Sequence, residues 1–348
     1  MTRENMMDKI VTDRQTDRQT DRRDYIADCW RILAILMVLT VHVNGYLTQP
    51  PAAINKLFSL GAYGVALYFL ISGYFSYASV KNSKSIKEYA YKKAIRILPM
   101  YYLSLVCTFI LDALILKDLP ISWEWLYHIP FLNMFVPSQE WQWWNSVNFF
   151  WTMPAFVAWY IISPFIFKYI NNAKKATLVT MCTVCITPFL KKWMYYFASE
   201  QFVNWNFFCL LYVFLFGVLA CFVIQESKKV YGILSGVGIG ILGLICGNKS
   251  GFFAFGLAFY LCIVAVSCFN IRFESTRFKN TIKALSNITY SVYLSHYFIL
   301  KLCNRVISNL YWPVAYIGFI VMALGIGYVL WRFVENPVAN FLRVNPQT

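Results

Sequence analysis

Residues 28–48 read DCWRILAILMVLTVHVNGYLT and form an apolar run of the length that crosses a lipid bilayer. Two ionisable residues interrupt this run, Arg31 near its start and His42 near its end. Ionisable groups are costly inside a membrane, so those present there are candidates for function. The stretch therefore indicates a membrane protein whose first helix carries functional side chains.

The composition of the whole chain also indicates a membrane protein. Of its 348 residues, 59% are hydrophobic and only 14% are charged. Soluble domains carry about 25% charged residues, and an apolar surplus of this size must face lipid. A spanning helix uses about 20 residues, so the length fits one domain of about ten spans. We predict an all-α fold, a polytopic membrane helical bundle.

Ten apolar segments are the predicted spans, separated mostly by short clusters of Gly, Pro, Asn or Lys. They lie at residues 28–48, 59–79, 95–116, 147–170, 176–192, 205–224, 230–247, 251–268, 286–305 and 312–333. The long connection at residues 117–146 is rich in Trp and Tyr, which is typical of a segment at the lipid headgroups. We expect it to contribute to the choice of any substrate on the outer side.

Polar segments flank the predicted membrane domain, which covers residues 28–340. Residues 1–27 include the repeat TDRQTDRQTDRR, and residues 341–348 form a short tail. A polar repeat of this kind has no apolar surface to bury. We predict a disordered amino-terminal tail or a start-site extension, and no signal peptide.

The net charge of +15 would suggest a nucleic-acid partner in a soluble protein. In a membrane protein, Lys and Arg instead mark the cytoplasmic loops. Only seven of the 31 Lys and Arg residues lie away from the side of the two termini: Lys56, Lys117, Lys191, Lys192, Lys249, Lys301 and Arg305. We predict cytoplasmic termini, an even number of spans and no nucleic-acid partner.

The ten cysteines lie within or beside apolar segments, where a thiol behaves as a small hydrophobic group. Cys182 and Cys185 form a C-x-x-C pattern without a second pair or a nearby histidine. We therefore predict no disulfide framework, no metal site and no permanently bound cofactor.

Arg31 and His42 are eleven residues apart, which is close to three helical turns. Both side chains then lie on one helix face, about 16 Å apart along the axis. Arg31 is a candidate anion-binding residue near the cytoplasmic mouth, and His42 is a candidate base deeper in the membrane. Two alternatives remain: an ion pair of Arg31 with Asp28, and a structural hydrogen bond of His42 to a neighbouring helix.

Lys93 and Arg96 form a second group of cations at the start of the third predicted span. They should lie at the same depth in the membrane as Arg31, near its cytoplasmic side. Arginine binds phosphate through two parallel hydrogen bonds and lysine binds it as a point charge. These residues would suit the phosphates of a nucleotide-bearing substrate. The alternative is ordinary positive charge on a cytoplasmic loop.

Several further residues are secondary candidates. Gly73 would let a neighbouring helix or a ligand arm approach closely, and His296 is at least as readily a structural histidine as a functional one. The remaining supporting candidates are Asp28, Ser72, Tyr101 and Tyr160.

Six motifs, in this order and across the ten predicted spans, resemble acyltransferase family 3, the integral membrane O-acyltransferases that modify surface polysaccharides. They are RDYIADCWRILAILMVLTVH (23–42), GVALYFLISGYF (64–75), KKAIRILPMYYL (92–103), WTMPAFVAWYIISPF (151–165), NITYSVYLSH (287–296) and VENP (334–337). Phe156 and Val157 stand where some subgroups have acidic residues, so a mechanism that needs such an acid is not expected here.

The resemblance implies an acyl-CoA donor, most often acetyl-CoA, and a glycan acceptor on the far side of a plasma or inner membrane. It implies that His42 is catalytic and that Arg31 and Arg96 bind the donor, with Lys93 where many relatives have arginine. A neutral imidazole can act as a general base toward the acceptor hydroxyl. A transient acyl-histidine is the competing route.

Two classes of function other than an enzyme are alternatives. A transporter or flippase for an anionic substrate or a glycolipid would also use buried cations. Such proteins often have internal repeats, and the two halves of this sequence show none that is convincing. A membrane sensor or scaffold would leave the Arg31 and His42 pattern unexplained.

Overall fold

Helices make up 84% of the structure, a computed structural model that describes residues 23–116, 123–137, 145–269, 271 and 273–344. These residues form no β-sheet, so the all-α prediction is confirmed. Residues 1–22 of the predicted tail at 1–27, the last four residues and parts of the connection at residues 117–146 lie outside the described residues. Residues 25–27 already belong to a helix.

Thirteen α-helices follow one another along the described chain. They are α1 (Tyr25–Asn44), α2 (Ala52–Ser59), α3 (Gly64–Lys81), α4 (Ile86–Ile110), α5 (Thr152–Tyr169), α6 (Ala173–Met194), α7 (Glu200–Trp205), α8 (Leu211–Gln225), α9 (Lys229–Ile245), α10 (Gly251–Cys268), α11 (Thr276–Asn309), α12 (Trp312–Leu330) and α13 (Asn336–Val344).

Within the described ranges, seven helical segments are long and apolar enough to cross a membrane. They are Tyr25–Asn44, Ala52–Lys81, Ile86–Ile115, Phe149–Tyr169, Ala173–Met194, Gly251–Cys268 and Trp312–Leu342. Helices α8 and α9 are apolar but shorter. Each predicted span overlaps one helix of the structure, while the number of ten crossings stays a prediction.

Helix α11 is long but is not among these seven segments, because much of its inward face is polar. Ser286, Thr289, Ser291, Ser295 and His296 are all buried in the bundle. Polar side chains that face the interior lower the mean hydropathy of a helix without exposing those groups to lipid. The composition of α11 therefore indicates which of its faces turns toward the interior of the bundle.

Helix α8 forms the centre of the bundle. Residues 212–223 are all buried, as expected for a helix that is apolar on every side. Helix α8 packs most extensively against α3. A Cβ atom at Gly73 would lie 2.0 Å from the Phe214 carbonyl oxygen, and one at Gly217 would lie 1.7 Å from that of Leu70. The structure thus places Gly73 at a helix contact.

Substitution of Gly217 by alanine should disrupt the contact between α3 and α8. The added methyl group would overlap backbone, and overpacking of this kind costs about 1–3 kcal/mol or more. We expect Gly217→Ala to lower the midpoint of thermal unfolding in detergent. Gly325→Ala is the matched control, because no atom lies within 4 Å of its added Cβ. Equal midpoints for the two variants would contradict the packing described for α3 and α8.

Candidate active site

A buried carboxylate organises the amino-terminal end of α1. Asp28 is only 2% exposed, and its Oδ1 accepts hydrogen bonds from Arg31 at 3.1 Å and from Ser286 Oγ at 2.6 Å. Its Oδ2 accepts one from Arg23 Nε at 2.5 Å. Arg23 also donates to Asn287 Oδ1 at 3.1 Å. Asp28 therefore ties α1 to α11 and holds two guanidinium groups.

Arg31 makes the ion pair with Asp28 that the sequence offered as an alternative, and it also faces a ring. Its guanidinium carbon lies 4.2 Å from the centroid of Phe75 on α3. A cation over an aromatic face is attracted by the ring quadrupole. The ion pair and the ring together fix the guanidinium at one position.

Lys93 and Arg96 reach the same region from α4. Lys93 Nζ lies 4.2 Å from the centroid of Tyr160, whose hydroxyl accepts a hydrogen bond from Ser72 at 2.7 Å. Among the described residues, neither Lys93 nor Arg96 has a carboxylate partner within ion-pair distance. This region therefore carries positive charge that its own acidic residues do not neutralise.

These three cations line one cavity, which we term the central cavity. It encloses about 970 Å³ with its opening included. Arg31, Lys93 and Arg96 lie at one end, and six of the sixteen lining residues are aromatic. The aromatic lining residues are Tyr68, Phe75, Phe156, Tyr160, Tyr290 and Tyr293.

A second cavity, which we term the mouth cavity, adjoins the first at Arg31, Phe75 and Arg96. It encloses about 1020 Å³ with its opening included, and Arg23, Asp28 and Glu335 also line it. The two cavities are therefore neighbours, with the guanidinium groups of Arg31 and Arg96 at their common boundary. A long ligand that passed this boundary would place its anionic part beside the guanidinium groups and its narrow part in the central cavity.

The two histidines of the predicted spans lie together. The ring centroids of His42 and His296 are 4.9 Å apart, and Tyr297 lies 5.5 Å from His42. His296 is fully buried, and its Nδ1 lies 2.6 Å from the Tyr293 carbonyl oxygen. A carbonyl oxygen only accepts hydrogen bonds, so Nδ1 carries the proton. Within the described part of the chain, His296 Nε2 has no hydrogen-bond partner.

The histidine pair stands next to the central cavity without lining it. Tyr293 connects the two, since it lines the cavity and its ring centroid lies 5.7 Å from that of His296. His42 is half-buried, whereas His296 has no exposed surface. His42 is thus the histidine of the pair that an external group could reach.

Most of the candidate residues from the sequence lie in or beside the two cavities, whereas Gly73 and Tyr101 lie elsewhere. Ser72 and Tyr160 line the central cavity with the three cations, and Asp28 lines the mouth cavity. Gly73 lies in the contact with α8. Tyr101 donates a hydrogen bond to the His128 carbonyl oxygen at 2.6 Å and stacks on Phe131, so it anchors the segment after α4.

His128 lies outside the membrane-spanning segments and apart from the cavity. It is 3% exposed, and burial lowers the pKa of its imidazole to about 4. Its ring is therefore neutral near pH 7, and its backbone carbonyl oxygen accepts the hydrogen bond from Tyr101. Within the described ranges, no group of three or more His, Cys, Asp or Glu side chains is placed to hold a metal ion.

Several residues that line the central cavity are not among the candidates from the sequence, namely Tyr68, Phe75, Thr289 and Tyr293. For the two on α11, Thr289 and Tyr293, the sequence does contain a periodic signal. Polar residues recur there every three or four positions, at Ser286, Thr289, Tyr293 and His296. That spacing puts polar groups on one face of a helix. A polar face inside an apolar segment marks the side that meets a cavity or a partner helix.

Comparison with known protein families identifies the family of this chain. The family model described as an acyltransferase domain matches residues 24–332, nearly the whole chain. The chain belongs to acyltransferase family 3. No curated protein and no solved structure matches it. Family membership confirms the resemblance of the motifs, and with the apolar helices it supports a membrane acyltransferase rather than a transporter or a scaffold.

Replacement of Asp28 by asparagine should destabilise the protein. It removes the buried negative charge that faces Arg23 and Arg31, whose side chains are 25% and 21% exposed. We expect the free energy of unfolding to fall by about 1–3 kcal/mol. The decrease is smaller than for a fully buried ion pair because water reaches both guanidinium groups. Thermal unfolding in detergent measures the effect.

Glu88→Gln provides the control for Asp28→Asn, because Glu88 and Lys92 form an exposed pair one helical turn apart. Pairs of this kind contribute little, so the unfolding midpoint should stay close to that of the wild type. A midpoint for Asp28→Asn as high as that of this control would show that Asp28 is not needed to hold α1 against α11.

Proposed function

We propose that this protein transfers an acyl group, most readily acetyl, from acyl-CoA to a hydroxyl of a cell-surface or lipid-linked polysaccharide. The observation that supports this most directly is the arrangement of one cavity. Three cations line one end of it, two of them without a carboxylate partner in the described chain, and a histidine pair adjoins the cavity at Tyr293.

The donor would enter with its phosphates at the cations. Arg31 and Arg96 lie where the two cavities meet, and Lys93 lines the central cavity beside Tyr160. Guanidinium groups bind phosphate oxygens through paired hydrogen bonds, and Lys93 adds a point charge. The aromatic walls would contact the uncharged arm of the donor, leading its thioester toward Tyr293 and the histidines.

The chemical step requires a base because a sugar hydroxyl is a poor nucleophile. In the direct route, His42 takes the hydroxyl proton as the acceptor oxygen attacks the thioester carbonyl carbon. The carbon–sulfur bond then breaks, and the CoA thiolate leaves and recovers the proton. His296, whose ring is fixed by the Tyr293 carbonyl oxygen, would hold the His42 ring in position.

The competing route passes through an acyl-histidine. An imidazole nitrogen of His42 would attack the thioester and release the CoA thiolate, which takes up the proton that the acylated ring loses. The acceptor oxygen would then take the acyl group from the nitrogen, and the acceptor's proton would return to the imidazole. Labelled acetyl-CoA supplied without acceptor distinguishes the two routes. Label retained on wild-type protein and absent from His42→Ala would support the acyl-histidine route.

We also propose ten crossings with both termini in the cytoplasm of a plasma or inner membrane. Besides the seven long apolar segments, α8 and α9 are apolar, and α11 turns its polar face inward. The excess of Lys and Arg on the side of the two termini supports this orientation. The cations of the site then face the compartment that contains acyl-CoA.

Purified protein in lipid nanodiscs should transfer label from acetyl-CoA to surface glycan of the host, and His42→Ala should abolish that transfer. Removal of a general base lowers rates by roughly 10²–10⁴-fold. Labelled glycan is quantified after separation from the donor, with thermal unfolding as a check on folding. Full activity of a folded His42→Ala variant would reject the catalytic role of His42.

Arg96→Ala and Lys93→Ala should each weaken donor binding, because each removes a cation that faces phosphate. A lost charge-assisted hydrogen bond costs about 1.5–3 kcal/mol, so the Kd for CoA should rise roughly 10-fold or more. Added salt should reduce affinity further in the wild type. Calorimetric titration with CoA gives the constants.

Lys87→Ala is the matched control for the donor site. Lys87 belongs to the same helix and carries the same charge, but it lines neither the central cavity nor the mouth cavity. Its loss should leave the Kd for CoA within about twofold of the wild type, as expected for a screened surface charge. Equal effects of Lys87→Ala and Arg96→Ala would contradict a specific phosphate site in the cavity.

A further inference from the structure

One of the tyrosines of the central cavity differs from the others in its hydrogen bonding. Four tyrosines line this cavity, and three have engaged hydroxyls. Tyr160 accepts from Ser72 at 2.7 Å, Tyr290 donates to the Ile97 carbonyl oxygen at 2.8 Å, and Tyr293 donates to the Phe149 carbonyl oxygen at 2.7 Å. The fourth is Tyr68.

The Tyr68 hydroxyl is buried and makes no hydrogen bond within the described part of the chain. Thr289 interacts with it electrostatically, but the two hydroxyls are not within hydrogen-bond geometry, and the Thr289 hydroxyl donates its proton to the Ser286 carbonyl oxygen at 2.9 Å. A buried polar group without a hydrogen-bond partner destabilises the fold, because it has lost its contacts with water and gained none in return. A ligand in the central cavity that offers an acceptor oxygen would remove this cost.

The position of Tyr68 indicates which part of the ligand it meets. Tyr68 precedes Phe75 by seven residues on α3, which corresponds to about 10 Å along the helix axis. Phe75 packs under Arg31 at the cationic end. The Tyr68 ring instead lies 6.0 Å from that of Tyr293, the residue that contacts His296. Tyr68 therefore stands at the histidine end of the cavity.

We propose that Tyr68 donates a hydrogen bond to the thioester carbonyl oxygen of the acyl donor. This inference rests on the proposed function. When the acceptor oxygen adds to the carbonyl carbon, the carbonyl π electrons move to its oxygen, which becomes negative. The Tyr68 hydroxyl stabilises that negative charge and keeps its own proton. When the carbon–sulfur bond breaks, the electron pair on the oxygen forms the carbonyl double bond again and the thiolate leaves with the negative charge.

The other hydroxyls near the cavity are less suited to this role. The proton of Ser72 is committed to Tyr160. Tyr160 keeps its own proton, but its ring lies against Lys93 among the cations, away from the histidine end. The protons of Tyr290 and Tyr293 point at backbone oxygens. Tyr68 combines a buried hydroxyl without a hydrogen bond in the described chain with proximity to Tyr293.

Tyr68→Phe tests the proposal because it removes one oxygen and keeps the ring. We expect the kcat for acetyl transfer to fall at least 10-fold, toward the roughly 100-fold loss seen when one donor to an oxyanion is removed. The KM and the Kd for acetyl-CoA should stay within about twofold. This pattern distinguishes a bond made in the transition state from one that only binds the donor.

Tyr89→Phe is the matched control. The Tyr89 hydroxyl is also buried without a hydrogen bond in the described residues, but Tyr89 does not line the central cavity. Its kcat should remain within about twofold of the wild type, and thermal unfolding should show that both variants are folded. An unchanged kcat in Tyr68→Phe, or a loss that lies entirely in KM, would overturn the role of Tyr68.

The assay also separates this inference from the proposed function. Transfer by the wild type with an unaffected Tyr68→Phe variant would reject only the role of Tyr68. Wild-type protein that binds acetyl-CoA but transfers no acyl group to any host glycan would reject the proposed function and the Tyr68 role together.

Discussion

The Asp28 carboxylate is the group on which the arrangement of the site depends. It is buried between α1 and α11 and accepts hydrogen bonds from Arg23, Arg31 and Ser286. A charge in this position is stable only when it is paired and hydrogen-bonded. Because its partners come from both helices, the same contacts that satisfy the carboxylate fix α1 against α11. The position of Arg31 and the proximity of His42 to His296 both follow from that alignment.

A second constraint is that polar side chains in the bundle must face one another. The buried polar residues of α11 lie along one face, from Ser286 beside Asp28 to His296 beside His42. Helix α3 contributes Tyr68 and Ser72 to the cavity from the other side, while Gly73 meets α8. The close contact of α3 with α8 therefore supports one wall of the cavity, and the pairing of α1 with α11 supports the other.

This geometry separates binding charge from reactive groups. The cations gather where the mouth and central cavities meet, and the histidines lie beyond Tyr293. A donor with anionic and acyl ends far apart suits such a site better than a compact anion does. Between the two ends the walls combine aromatic and aliphatic side chains with a few hydroxyls, so binding there depends on shape and on those hydroxyls. The Tyr68 hydroxyl has no hydrogen-bond partner in the described chain.

The sequence by itself determined the all-helical membrane character, the family, and the level shared by Arg31, Lys93 and Arg96. These features follow from composition, from motifs and from the fixed rise of a helix, which are all local. Only the tertiary structure decided that His296 contacts His42, that Tyr101 anchors a connecting segment, and that Tyr68 faces the cavity without a partner. Those facts depend on how helices distant in the chain are rotated against one another. That rotation is set by the burial of Asp28 and by the glycine contacts of α8, and no local pattern encodes it.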